Sequence, residues 1–147
     1  MKPRSQPSAR NKAMDLLARR EHSEKELRQK LKTREFDTDE IETALQKLIE
    51  DGLLSDERFA ESYVNHRVNA GLGPMKIRFE LRQKGINDAL AETCLSAFSG
   101  QWNSLMRETR ERKFGKSIPD DYKDQMKQAR FLQNRGFSPE SVMRLFR

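Results

Sequence analysis

Two short stretches of the chain carry residue types that could bind a phosphate or a nucleotide. Residues 115–117 (GKS) resemble the end of a phosphate-binding loop, and residues 71–73 (GLG) resemble the start of a dinucleotide fingerprint. A phosphate-binding loop also needs a glycine five residues before Gly115, where this chain has Arg110 within a helical pattern. A dinucleotide fingerprint needs a preceding strand, whereas Pro74 starts a helix directly after Gly73. Neither stretch therefore predicts a nucleotide site.

The side chains that could act as metal ligands, bases or nucleophiles are few and scattered. His22 and His66 are 44 positions apart, and no cysteine or carboxylate cluster accompanies them at the spacing of metal ligands. His66 has no orienting partner nearby, so we expect a surface residue rather than a general base. Cys94 shares an apolar helix face with Leu90 and Leu95, which predicts a buried, inert thiol. We expect no catalytic residue, metal or cofactor, and therefore a protein that is not an enzyme.

The composition is typical of a helical protein with a thin core. In 147 residues, apolar and charged side chains each make up 35%, and the net charge of +6 favours an anionic partner. The single cysteine excludes an internal disulfide framework, and no signal peptide is recognisable, so we expect a cytoplasmic protein. No apolar run approaches the roughly 20 residues that a membrane-spanning helix needs.

The charges alternate in sign along the chain. Residues 1–34 hold 11 basic and 4 acidic side chains, whereas residues 35–62 hold 2 basic and 10 acidic ones. Residues 63–87 are basic again, with 5 basic side chains against 1 acidic. The net charge therefore understates how polarised the surface of the protein can be.

Three segments of the chain can be superposed at offsets of 50 and 51 residues: KLKTREFDTDEI from Lys30, ELRQKGINDALA from Glu80 and FLQNRGFSPESV from Phe131. An offset of this size indicates stacked supersecondary units. In each segment a leucine, a basic residue and an apolar residue precede a residue that favours the N-cap position of a helix. These capping residues are Asp37, Asn87 and Ser138.

Glycines that favour helix C-termini precede two of the caps, Gly85 and Gly136, and Glu35 occupies that position in the first segment. A further helical pattern lies upstream of each pair, and no strand pattern occurs. The sequence thus predicts an all-α fold of three tandem three-helix, helix-turn-helix-like repeats. We place a mobile basic arm at residues 1–8 and the repeats at 9–54, 55–100 and 101–147.

The helix that begins at Pro74 carries two apolar stripes about 160° apart, by the 3.6-residue period. Ile77 and Leu81 form one stripe, and Met75 and Phe79 form the other. We expect both stripes to be buried, because the middle helix of a three-helix unit lies between two neighbours. Trp102 and Tyr63 are likewise expected to pack in the core rather than to stack on bases.

The cations of this helix recur in the first repeat, where Arg28 and Lys32 align with Arg78 and Arg82. The third repeat has uncharged residues at the aligned positions, so a basic ridge is predicted through the first two repeats only. The alternative is that exposed charge simply keeps a thin-cored protein soluble. The predicted partner-binding residues are Arg28, Lys32, Arg67, Lys76, Arg78, Arg82 and Lys84.

Residues 51–60 (DGLLSDERFA), then Tyr63-Val64 and Arg67, then residues 73–86 (GPMKIRFELRQKGI), resemble the RecX family of bacterial recombination regulators. Residues 23–31 (SEKELRQKL) resemble the same family. The resemblance spans roughly residues 9–147; it is strongest in the second repeat and loosest in the third. The two central motifs are specific together, although either alone is weak.

The resemblance implies three tandem three-helix repeats in a curved, elongated monomer. It also implies binding in the groove of the filament that the recombinase RecA forms on single-stranded DNA. Proteins of this family typically inhibit RecA ATP hydrolysis, strand exchange and coprotease activity, and some bind DNA directly. On this reading the chain acts in recombination, DNA repair and the SOS response.

Two other functions stay open at the level of the sequence. One is a helix-turn-helix-type protein that binds DNA independently of RecA. The absence of an Asn, Gln or Arg cluster at one helix start argues against base-specific reading. The other is a helical scaffold for unrelated proteins.

Overall fold

The computed structural model describes residues 7–147, and this part of the chain contains nine α-helices and no strand. In chain order the helices are α1 (Ala9–Arg19), α2 (Glu24–Thr33), α3 (Thr38–Glu50), α4 (Asp56–Asn69), α5 (Pro74–Gln83), α6 (Asp88–Ser96), α7 (Trp102–Phe114), α8 (Tyr122–Asn134) and α9 (Pro139–Leu145). The predicted all-α fold is confirmed. Among these helices, none combines the length and apolar composition that crossing a bilayer requires.

The first six residues of the predicted basic arm lie outside the described residues. Ser8, at the end of that arm, is the N-cap of α1, and its hydroxyl accepts a hydrogen bond from the Asn11 N–H at 3.1 Å. Side-chain caps of the same kind begin α2, α3, α6, α8 and α9, whereas Gln101 makes no such bond at the start of α7. Asp37, Asn87 and Ser138 cap α3, α6 and α9, as predicted.

The helix pairs turn at a residue with left-handed backbone conformation. Gly85 has a φ of 82° and Gly136 a φ of 102°, and at the equivalent corner of the first repeat Glu35 adopts a φ of 65°. A glycine enters this region without a Cβ penalty, whereas a glutamate pays for it. The predicted corner positions are therefore right, and the first corner is strained.

The chain divides into two compact units. The first consists of the described residues up to Ser62 together with Gln83–Ile86. Helices α1, α2 and α3 surround its core, and Leu27, Leu31, Ile41 and Leu48 are fully buried. Leu27 and Leu31 lie four positions apart in α2, and Ile41 and Leu48 lie seven apart in α3, so each of these helices has one apolar face.

The second unit consists of Tyr63–Arg82 and Asn87–Arg147. One apolar cluster of this unit is contributed by α7, α8 and α9, and its buried members are Met106, Ala129, Leu132, Phe137 and Val142. Trp102 packs against this cluster and lies 5.7 Å from Phe98 between ring centroids. The predicted packing of Trp102 is confirmed.

Helix α5 buries only one of its two apolar stripes. Ile77 and Leu81 are 0% exposed, whereas Met75 is 49% and Phe79 is 59% exposed. The prediction that both stripes are buried was wrong. Periodicity shows which side chains share a helix face, but it does not show whether another element covers that face.

Candidate partner-binding surface

The seven basic residues predicted to bind a partner are divided between the two units. The first unit holds Arg28, Lys32 and Lys84, and the second holds Arg67, Lys76, Arg78 and Arg82. All but Lys32 donate to an acceptor of this chain. Lys32 is exposed on α2 and makes no ion pair with any residue between 7 and 147.

The recurring arginines make an ion pair inside each repeat. Arg28 Nε donates to both carboxylate oxygens of Glu42, at 2.9 and 3.1 Å, and Arg78 makes the equivalent pair with Glu92, also 14 positions downstream. The aligned positions of the third repeat hold apolar residues of its core, Ala129 and Met143. The recurrence thus has an internal cause, because the pair joins the second and third helices of a repeat. Exposed ion pairs of this kind contribute at most about 1 kcal/mol to the free energy of unfolding.

Two predicted residues at the ends of α5 keep much of their charge in solvent. Arg82 Nη2 lies 3.2 Å from Asp88 Oδ1, yet both side chains are about two-thirds exposed. Lys76 Nζ donates to the Asn134 carbonyl at 3.4 Å and is also exposed. With Lys32, these side chains can be reached by a partner with little rearrangement.

Arg67 instead belongs to a part-buried polar network between α4 and α5. Its guanidinium donates to both oxygens of Glu80, at 2.9 and 3.2 Å. The Tyr63 hydroxyl donates to the same carboxylate at 2.9 Å. Bidentate pairing at this degree of burial fixes the two helices to one another more firmly than an exposed pair does.

Lys84 contacts a helix of the first repeat although it follows α5 in the chain. Its Nζ lies 3.0 Å from Glu26 Oε2, and Arg20 donates to both oxygens of the same carboxylate at 3.1 and 3.2 Å. Glu26 also completes a capping box with Ser23. Burial opposes the ionisation of Glu26, but the bonds from Arg20, Lys84 and Ser23 outweigh it and lower the pKa to about 2.

Sequence reasoning did not assign a role to His22, which is 1% exposed beside this carboxylate. Its Nδ1 lies 3.0 Å from the Arg20 carbonyl and its Nε2 lies 2.8 Å from Lys30 Nζ. Burial lowers the pKa of His22, and the charges of Arg20 and Lys30 act in the same direction. The neutral imidazole can therefore donate to the carbonyl and accept from the lysine. The predicted surface position of His66 and the predicted burial of Cys94 are both confirmed.

The structural role of Arg110 was also missed. This side chain is 2% exposed and donates to Gln128 Oε1 (3.0 Å) and to the carbonyls of Lys116 (3.1 Å) and Ser117 (3.3 Å). It thereby holds the loop between α7 and α8. The available signal was its register, because Arg110 follows Met106 by four positions on the apolar face of α7.

Three protein-family domains together match most of the chain. Residues 9–48 match the first three-helix domain of RecX, residues 55–95 the second and residues 103–146 the third. The chain belongs to the RecX family. The resemblance seen in the sequence and the three three-helix domains are confirmed.

Curated relatives match the chain over most of its length. The chain is 46% identical over 138 residues to the regulatory protein RecX of Pseudomonas tolaasii, covering 94% of this chain and 89% of that protein. It is 43% identical over 135 residues to that of Halorhodospira halophila, covering 92% and 84%. Among solved structures, RecX of Lactobacillus salivarius superposes with a TM-score of 0.72 at 27% identity, covering 94% of both chains. Another RecX crystal structure gives 0.78 at 27% identity, covering 94% of this chain and 69% of that one. These relatives support a regulatory role of the RecX type.

Proposed function

We propose that the chain is a non-catalytic, monomeric, cytoplasmic regulator that binds the RecA filament on single-stranded DNA. In this function it inhibits RecA ATP hydrolysis, strand exchange and coprotease activity, and so limits recombination, DNA repair and the SOS response. The observation that carries the proposal is the presence of all three RecX domains, in order, between residues 9 and 146.

The predicted basic residues contribute to this function to different degrees. Lys32, Lys76 and Arg82 are exposed and are proposed to meet acidic RecA side chains or DNA phosphates. Arg67 and Lys84 are proposed to act mainly by holding their own helices, because each is bound to a part-buried carboxylate. Arg28 and Arg78 are proposed to do both, because each pairs with a carboxylate of its own repeat and is still partly exposed.

The direct test is RecA ATPase on single-stranded DNA, titrated with the purified protein on short and long DNA. We expect hydrolysis to fall as the protein is added. Comparing short with long DNA separates capping of filament ends, whose effect depends on filament length, from blocking of the groove. Undiminished hydrolysis at saturating protein would remove the proposal.

The same protein should be titrated against labelled single- and double-stranded DNA without RecA. A DNA-binding protein that acts independently of RecA predicts tight binding there, with log K falling by about 0.7 to 0.9 per phosphate contact against log salt. Binding that requires RecA supports the proposed regulator.

A further inference from the structure

Helix α5, the middle helix of the second repeat, presents an apolar face to solvent. Phe79 is 59% and Met75 is 49% exposed, and the two side chains stand one helical turn apart on the same face. The opposite face of the helix holds the fully buried Ile77 and Leu81. The exposed stripe therefore lies outside the buried core on which α5 packs.

The repeat architecture does not require apolar residues at these positions. At the repeat offset, Met75 and Phe79 align with Lys25 and Gln29 of α2, which are exposed. In α8 the aligned residues are Met126 and Arg130. Because the other two repeats fold with polar or mixed side chains there, the aromatic residue of α5 needs an explanation other than folding.

Helix α5 holds this stripe on a fixed backbone. The Gly73 N–H donates to the Arg135 carbonyl at 2.8 Å, and the Met75 N–H donates to the Gly136 carbonyl at 3.0 Å. A Cβ on Gly73 would lie 2.5 Å from the Gly136 carbonyl carbon, so only glycine allows this approach. The helix start is thus anchored before any partner arrives, and binding costs little conformational entropy.

The rim of the stripe is polar but nearly balanced in charge. Three cations border it, Lys76, Arg78 and Arg82, and the two arginines are bonded to this chain's own Glu92 and Asp88. A net of one positive charge remains. Phosphate-driven binding depends on several cations that are free to neutralise phosphates. An apolar centre inside a satisfied polar rim is instead the anatomy of a protein interface.

We propose that Met75 and Phe79 form the apolar anchor by which α5 docks into an apolar, acid-bordered pocket of a protein partner. The identity of that partner rests on the proposed function, in which it is a RecA subunit of the filament. The exposed cations then surround the anchor and orient it, while the buried apolar area supplies most of the affinity.

The test compares substitutions at Phe79 in the full-length protein by inhibition of RecA ATPase on single-stranded DNA. Phe79→Ala should raise the concentration for half-inhibition at least tenfold, as truncation of an aromatic hot spot does. The loss should persist at higher salt, because an apolar contact is not screened. Met14→Ala, which truncates a 41% exposed methionine of α1, is the matched control and should leave inhibition within about twofold of wild type.

Phe79→Arg places at this position the residue type that α8 has at the aligned position. The helix should therefore still fold, and circular dichroism checks this. We expect this variant to lose inhibition as Phe79→Ala does. Stronger inhibition by Phe79→Arg would show that charge drives the contact and would overturn the anchor.

Two further outcomes are distinguishable. If wild type inhibits RecA and Phe79→Ala inhibits equally well, the anchor is refuted while the proposed function stands. If wild type leaves RecA ATPase unchanged, both fail. Loss of binding to bare single-stranded DNA by Phe79→Ala, with retained inhibition, would assign the stripe to base stacking and overturn a protein anchor.

Discussion

Two residues of this RecX fold, Glu35 and Glu26, affect its stability in opposite ways. Glu35 adopts a backbone conformation that glycine adopts at the two equivalent corners, with φ values of 65° against 82° and 102°. Glu26, by contrast, is a carboxylate surrounded by donors, and these keep it ionised at low pH. The two sites predict opposite consequences of substitution.

Glu35→Gly should stabilise the protein by about 1 kcal/mol, because it relieves the left-handed strain of a residue with a Cβ. Urea denaturation followed by circular dichroism measures the change. Glu35→Ala removes the same charge but keeps the Cβ, so it serves as the control. Equal stability of the glycine and alanine variants would show that this corner is not strained.

Glu26→Gln should lower stability at pH 7 by on the order of 2 kcal/mol and flatten the acid limb of the stability curve. The pKa of Glu26 falls from an ordinary 4.5 to about 2 on folding. Its contribution is therefore complete above pH 4.5 and is lost as the pH falls toward 2. Urea midpoints measured across this range test the prediction. Glu50→Gln, at an exposed carboxylate of α3, controls for the lost charge, and an unchanged acid limb in Glu26→Gln would contradict the assignment.

At the level of the helix, the two faces of α5 have different roles, because one is buried in the core and the other is largely exposed. Leu81 is fully buried, and Phe79, two positions earlier, is mostly exposed. Charge introduced on one face must be desolvated, whereas charge on the other remains hydrated. The helix therefore offers a matched pair of substitutions.

Leu81→Asp should unfold the second repeat or lower the free energy of unfolding by more than about 3 kcal/mol, because it places an unpaired carboxylate in the core. Phe79→Asp should lower the free energy of unfolding by less than about 1 kcal/mol. Thermal melts of both variants decide the point. Similar losses from the two substitutions would mean that Phe79 also packs in the folded protein.

At the scale of the whole molecule, the basic and acidic blocks seen in the sequence form some ion pairs with one another. Basic and acidic segments meet in pairs such as Arg28 with Glu42 and Arg58 with Glu21. The net charge of +6 favours attraction to an anionic partner.

Arg78→Glu combined with Arg82→Glu should weaken RecA inhibition about tenfold, since it gives a net negative charge to the rim that we propose faces acidic side chains of RecA. The fold should persist, because both ion pairs are exposed. Arg107→Glu with Arg112→Glu makes the same change of charge on α7 and should leave inhibition close to wild type. Inhibition that survives the first double substitution would place the partner-facing surface elsewhere.

The helices, the caps of α3, α6 and α9, the left-handed corners and the resemblance to RecX could be predicted from the sequence. These features depend on contacts within about four residues of each other, or on patterns repeated along the chain, so they can be read locally. The packed fold was needed to show that Met75 and Phe79 stay exposed, that Arg28 and Arg78 pair with Glu42 and Glu92, and that Lys84 contacts Glu26. Those outcomes depend on which helices pack together, because the paired residues lie 14 and 58 positions apart.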